Sequence, residues 1–181
     1  MSKVCVFFGE GYEEIEALTV VDLLRRVNVD TDMVSITGEK SVTGSHGIAV
    51  GMDKLLSEVD FDAVDMIVLP GGMPGTKNLE ACEMLMEQVD AFVAADKPVC
   101  AICAAPSILG HRGHLEGKKA TSYPSFEEHL TGATVLREPA VRDGNIITGR
   151  GMGGAVEFGL AIVEYFKGTE AKEKLAEAIV Y

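Results

Sequence analysis

No stretch of the sequence approaches the roughly 20 consecutive apolar residues that a bilayer-spanning helix requires, so no membrane segment is expected. Positive charge is scarce too: 16 Lys and Arg stand against 28 Asp and Glu, a formal net charge of −12. Phosphate backbones are repelled by such a surface, and nonspecific nucleic-acid binding is not expected. Cysteine is sparse, with four in 181 residues. The opening MSKVCVFFGEGYEE turns acidic too early for a secretory signal peptide, and the two features together point to the reducing cytoplasm rather than a disulfide framework. Cys100 and Cys103 spell C-x-x-C, but no second pair completes a zinc set, so no structural metal is expected. The G-x-x-x-x-G-K-[S/T] phosphate loop is absent. Repeats, linkers and low-complexity segments are missing as well.

What remains is a chain of ordinary composition, 47% apolar and 24% charged, long enough for one well-cored domain. Apolar runs alternate with amphipathic stretches. KVCVFF (3–8), DTDMVSI (30–36), DMIVLPGG (65–72) and PVCAIC (98–103) read as strands. EEIEALTVVDLLRRV (13–27), LEACEMLMEQVDAFVAAD (79–96), GGAVEFGLAIVEYFKG (153–168) and EAKEKLAEAIVY read as helices. KKATSY offers a short strand, and TVLREPAVRDGNIITG (134–149) a hairpin turning at Asp143-Gly144. Near-continuous apolar strands followed by helices imply a doubly wound α/β domain, a parallel sheet covered on both faces. Ligands of such folds bind beyond the carboxyl ends of the strands. GEGYEEIE, PGGMPGTKN and CAAP therefore carry the search for a site.

In VCAICAAPSILG a cysteine stands where a buried strand stops and a helix begins. With a helix starting near Ala104, its dipole and free N–H groups lower the Cys103 thiol pKa, and the sharp turn exposes the sulfur. Cys100, inside the strand, points to the opposite face and cannot bridge to Cys103; Cys5 and Cys82 read as core or helix-surface residues. A histidine base is not evident. His111 is about 12 Å along the helix from Cys103, His114 reads as solvated, and nothing places His129. A carboxyl partner is available in GYEEIEAL: Glu16 continues the stripe of Val20 and Leu23, while Glu13, above Ala17, Val20 and Leu24, serves nearly as well. Glu14 faces toward Arg25. A carboxyl on an apolar stripe keeps its proton and can donate it. Gly71 and Gly72 bare their backbone N–H groups, which with that of Ala104 can form an oxyanion hole.

Four segments in fixed order, GYEEIEALTVVDLLRR, VLPGGMPGTKNL, AICAAP and ITGRGMGGAVEFGLAIVE, resemble the ThiJ/PfpI superfamily. They are most similar to the branch containing the Parkinsonism-associated protein deglycase and its bacterial relatives. The resemblance spans essentially residues 1–181 and implies one flavodoxin-like domain, of class I glutamine amidotransferase-like type, that is homodimeric. It implies that Cys103 is the nucleophile, that Glu16 rather than Glu13 is its protonated partner, and that the amides of Gly72 and Ala104 hold the oxyanion. Arg150 in TGRG matches an arginine near the family's site.

Two positions depart from the pattern. Tyr123 stands where many of these proteins have a histidine, and His46 stands in place of an arginine. Ala104 replaces the histidine that follows the cysteine in the protease branch, which makes a protease the less favoured reading. The activity implied is that of a cofactor-free glyoxalase or deglycase acting on methylglyoxal, glyoxal or glycated adducts. The alternative is a redox-sensing or chaperone-type stress protein whose Cys103 oxidises to sulfinate.

Overall fold

The apolar run of β1 (Lys3–Phe8) sets the layering of the computed structural model, which describes residues 2–181. Successive side chains of a strand point to opposite faces. Val4, Val6 and Phe8 accordingly enter one core cluster, and Cys5 and Phe7 enter a second. After β1 come α1 (Glu14–Arg26), β2 (Asp30–Ser35), the small hairpin β3 (Ser41–Thr43) and β4 (Ala49–Gly51), and β5 (Lys54–Leu55). Next are β6 (Met66–Leu69), α2 (Gly75–Glu80), α3 (Glu83–Ala94), β7 (Val99–Ile102) and α4 (Pro106–His111). The chain continues through β8 (Lys119–Ala120), β9 (Thr134–Val135), β10 (Ala140–Asp143), β11 (Ile146–Gly149), α5 (Ala155–Lys167) and α6 (Thr169–Ala178).

The main sheet runs β10-β11-β7-β6-β1-β2-β5, parallel throughout except for the β10–β11 hairpin. Its long parallel strands stand in the flavodoxin-like order 2-1-3-4-5, β2-β1-β6-β7-β11. α1 and α5 cover one face with Val20, Leu24, Phe158 and Ile162, and α3 and α4 cover the other with Leu85, Val89, Ile108 and Leu109. This is the doubly wound α/β sandwich expected. No described helix is long and apolar enough to cross a membrane.

Three local expectations fail. Residues 79–96 are not one helix: the chain breaks at Ala81–Cys82, where Cys82 is extended at φ −84°. Leu79 and Leu85 are both fully buried, yet on a continuous helix they would sit about 240° apart, so the break lets both face the sheet. In 134–149 only residues 140–149 form the hairpin, because β9 pairs in parallel with β8 instead. α4 begins at Pro106, leaving Cys103–Ala105 in a turn and Cys103 outside the helix that was expected to start beside it.

Candidate active site

The strand order reverses between β1 and β6, and that is where a doubly wound sheet leaves a crevice. The loops leaving these two strands are laced together. Glu13 N–H donates to Gly71 O at 2.9 Å, and Gly75 N–H donates to Gly11 O at 3.1 Å. β7 lies on the far side of β6 and delivers Cys103.

Among the described residues Cys103 is one of four non-glycine residues with positive φ, at 65°. Such a left-handed residue costs on the order of 1–3 kcal/mol and persists only where its surroundings hold it. Both of its backbone groups are held: Cys103 N–H donates to Gly149 O at 2.9 Å, and Tyr123 N–H donates to Cys103 O at 2.8 Å. The twist also breaks the strand's alternation. Cys100 and Cys103 both associate with the α1/α5 core, so the opposite-face expectation was wrong. All four cysteines are free thiols; Cys100 is fully buried with its sulfur 3.4 Å from that of Met66.

Glu16 is 1% exposed, facing inward with Val20 and Leu23 as the helical stripe requires. Its Oε2 accepts from Gly71 N–H at 3.0 Å. Its Oε1 is buried without a hydrogen-bond partner, and the Cys103 thiol acts on the carboxyl as a hydrogen-bonding neighbour, favouring its charged form. Gly71 is wedged between the two. A methyl group there would stand 2.6 Å from Cys103 Cβ and 2.6 Å from Glu16 Oε2. The backbone N–H groups of Gly72, at φ 89°, and of Ala104 both act on the Cys103 sulfur.

The electrostatics correct one expectation. Burial pushes the Glu16 carboxyl up to about 7, the direction that keeps its proton near neutrality. The Cys103 thiol is not lowered. Burial first, then the Glu16 charge and hydrogen bond, push it up to about 12, against the smaller lowering by the Ala104 and Gly72 N–H groups. The helix dipole contributes little because α4 starts three residues later. The two groups are coupled: the charge of the Glu16 carboxylate opposes loss of the Cys103 thiol proton.

The remaining expected residues fall into two groups. Tyr123 and Arg150 line a cavity of about 390 Å³ with Pro124, Pro139, Gly151 and Met152, adjoining the backbone that clamps Cys103. The Arg150 guanidinium donates to Glu127 at 3.2 Å, and Glu127 also binds Arg137 at 3.1 Å. His46 is not brought to the sulfur. Its N–H and Nδ1 engage Glu14 at 2.8 and 2.9 Å. Glu14, expected to face Arg25, is instead buried; burial opposes its charge, but the His46 ring and nearby N–H groups hold it at about 2. Arg25 turns to Asp53 and Thr31 O. His114, expected to be solvated, is mostly covered and bonds Asp90 at 2.6 Å. The clamps from Gly149 and Tyr123 were missed; both are backbone groups distant in sequence, and no side-chain pattern announces them.

Residues 2–165 match the DJ-1/PfpI family. Protein DJ-1 homolog A of Arabidopsis thaliana is 38% identical over 177 residues, covering 97% of this chain but only 45% of the relative, so the chain spans less than half that protein's length. Protein dj-1beta of Drosophila melanogaster is 33% identical over 183 residues, covering 99% of this chain and 98% of the relative. The structure of oxidized Toxoplasma gondii DJ-1 superposes with a TM-score of 0.95 at 32% identity, covering 100% and 99% of the two chains. With the fold, the strand-end cysteine and these likenesses in agreement, the chain belongs to the DJ-1/PfpI family.

Proposed function

We propose that this protein is a cofactor-free, cysteine-dependent glyoxalase or deglycase acting on methylglyoxal, glyoxal or their adducts, with residues 1–181 forming a single catalytic domain of that type. The observation that carries this reading is the Cys103–Glu16 unit: a buried carboxyl with one oxygen unpartnered, beside the Cys103 thiol. Methylglyoxal enters as the aldehyde. The Cys103 sulfur bonds to the aldehyde carbon, and the oxygen left behind takes a proton, giving a hemithioacetal. Glu16, as carboxylate, removes the hydrogen from that carbon and returns it to the neighbouring carbon as the former ketone becomes an alcohol. The product of this shift is a thioester, and water cleaves it to lactate and the free thiol. Oxidation of one carbon balances reduction of the other, so no external redox partner is required. The Gly72 and Ala104 N–H groups stabilise the oxyanions of both addition steps.

Arg150 and Tyr123 border the cavity that receives the remainder of the substrate, and His46 acts through Glu14. A homodimer is part of the proposal. The exposed Ile15 and Ile48, beside Leu18, Val156 and Ile179, offer an apolar face for a second copy. The test is lactate release from methylglyoxal by the wild-type protein and by Cys103→Ser. Turnover by the former and none by the latter is expected; equal release by both refutes the proposal.

The unpartnered Glu16 oxygen also favours a second reading. Two equivalents of peroxide, each reduced to water, convert the Cys103 thiolate to a sulfinate that protonated Glu16 stabilises by donating a hydrogen bond. A relative of this fold is described in an oxidized form. Peroxide-driven gain of two oxygens at Cys103, with no dicarbonyl turnover, selects this reading.

A further inference from the structure

Two histidines that the proposed chemistry leaves unused meet at the surface. His111 ends α4, and His129 ends the turn Pro124–His129. Nε2 of His111 lies 3.0 Å from Nδ1 of His129, with ring centroids 5.0 Å apart and planes at 85°. The backbones hold the pair together: Gly110 packs directly on the His129 carbonyl, leaving no room for a side chain. A carboxylate stands behind the far nitrogen of each ring. Glu80 Oε1 is 2.6 Å from His111 Nδ1, and Glu128 Oε1 is 3.9 Å from His129 Nε2.

Proton placement in this row follows from the carboxylates. An ionised carboxylate only accepts, so His111 carries its proton on Nδ1, toward Glu80. Its Nε2 then accepts from the Nδ1–H of His129. That leaves His129 Nε2 bare, with the exposed Glu128 carboxylate 3.9 Å away, outside hydrogen-bond reach. A cation can take the place of the shared proton. His129 then carries its proton on Nε2, toward Glu128, and both inner nitrogens offer lone pairs to the ion. Carboxylate, imidazole, metal is the order in which ligating histidines are held.

We propose that His111 and His129, backed by Glu80 and Glu128, form a surface site for a divalent transition-metal ion, with copper(II) preferred. Two nitrogens 3.0 Å apart, each about 2.0 Å from one ion, subtend about 97°. That is nearer the right angle of a tetragonal site, favoured by copper(II) and nickel(II), than the wider angle of tetrahedral zinc. Copper(II) binds most strongly of these ions to imidazole sets. Both side chains are 41% exposed, so the rings are free to turn their lone pairs onto the ion, and water fills its other positions. The expectation of no structural metal rested on missing cysteine pairs and did not address an open surface pair 18 residues apart. Glu13, Glu14 and His46 also converge within 4.8 Å, but Glu14 already engages the His46 N–H and ring.

The test titrates the intact protein with copper(II) up to one equivalent, followed by electron paramagnetic resonance. One ion should bind with a tetragonal signal showing hyperfine coupling to two nitrogens. His111→Ala and His129→Ala should each abolish the two-nitrogen pattern. Glu80→Gln should weaken binding by about 10- to 100-fold, and His46→Ala should leave the signal unchanged. Calorimetry with nickel(II), which thiols do not reduce, should show the same dependence on these residues, and unchanged thermal unfolding confirms that the variants fold. The proposal is overturned if the two-nitrogen signal survives His111→Ala or His129→Ala, or disappears in His46→Ala. It is equally overturned if thiols reduce the copper(II) and nickel(II) does not bind.

Discussion

Replacing Glu16 with Gln separates the two things its carboxyl does to Cys103. The carboxylate charge holds the thiol up, and the same group is asked to move a proton between substrate carbons. A unit charge about 4 Å away, at an effective dielectric near 20, is worth about 4 kcal/mol. That corresponds to about 3 pH units as an upper limit, which equals the whole rise of the thiol from 9.0 to about 12; burial is the larger cause of that rise, so Glu16→Gln should move the thiol down by only a part of it. Burial, the first cause of the raised value, remains in the variant and keeps the thiol above an exposed cysteine's range.

Glutamine can still donate a hydrogen bond but cannot shuttle a proton, and dicarbonyl turnover should fall by about 10² to 10⁴. The signature is therefore a sulfur that alkylates faster at mildly alkaline pH in an enzyme that turns over far more slowly. The assay pairs the pH profile of iodoacetamide alkylation, with the modified cysteine identified by peptide mapping, with lactate release. An unmoved alkylation profile refutes the electrostatic argument. Full turnover in Glu16→Gln, with loss in Glu13→Gln, makes Glu13 the acid instead.

Stability should also depend on pH through Glu16. Its carboxyl is raised from 4.5 to about 7 in the fold, so its contribution is fully present below the unfolded value and is lost as pH rises through about 7. At about 1.4 kcal/mol per pH unit the loss is on the order of 3 kcal/mol, and denaturant midpoints between about pH 5 and 8 should decline less steeply in Glu16→Gln than in wild type. Parallel declines would sink this reasoning. Gly71→Ala places a methyl 2.6 Å from both Cys103 Cβ and Glu16 Oε2 and 2.9 Å from Ile102 O. Overpacking of this kind costs about 1–3 kcal/mol, and turnover should be lost as the pair is forced apart; a variant matching wild type in melting temperature and rate would show that the wedge yields freely.

Local pattern determined much of this protein. The continuous apolar runs of β1, β6 and β7 are legible because a strand covered on both faces needs apolar residues at every position. The three-and-four spacing of α1 fixed Glu16 on the inward stripe, and the motifs around Cys103 fixed the family before any coordinates. Other features were decided only when distant segments met. The break at Cys82 follows from two leucines that must reach one sheet, which propensity along a single helix does not register. The positive φ of Cys103 is held by Gly149 and Tyr123, distant in sequence and acting through backbone groups that carry no residue code. Glu14 was expected to face Arg25, but residues 44–48 fold over it. The direction of the thiol's shift was misjudged for the same reason: a helix terminus is a local feature, whereas burial and the field of Glu16 exist only once α1, β6 and β7 are packed together.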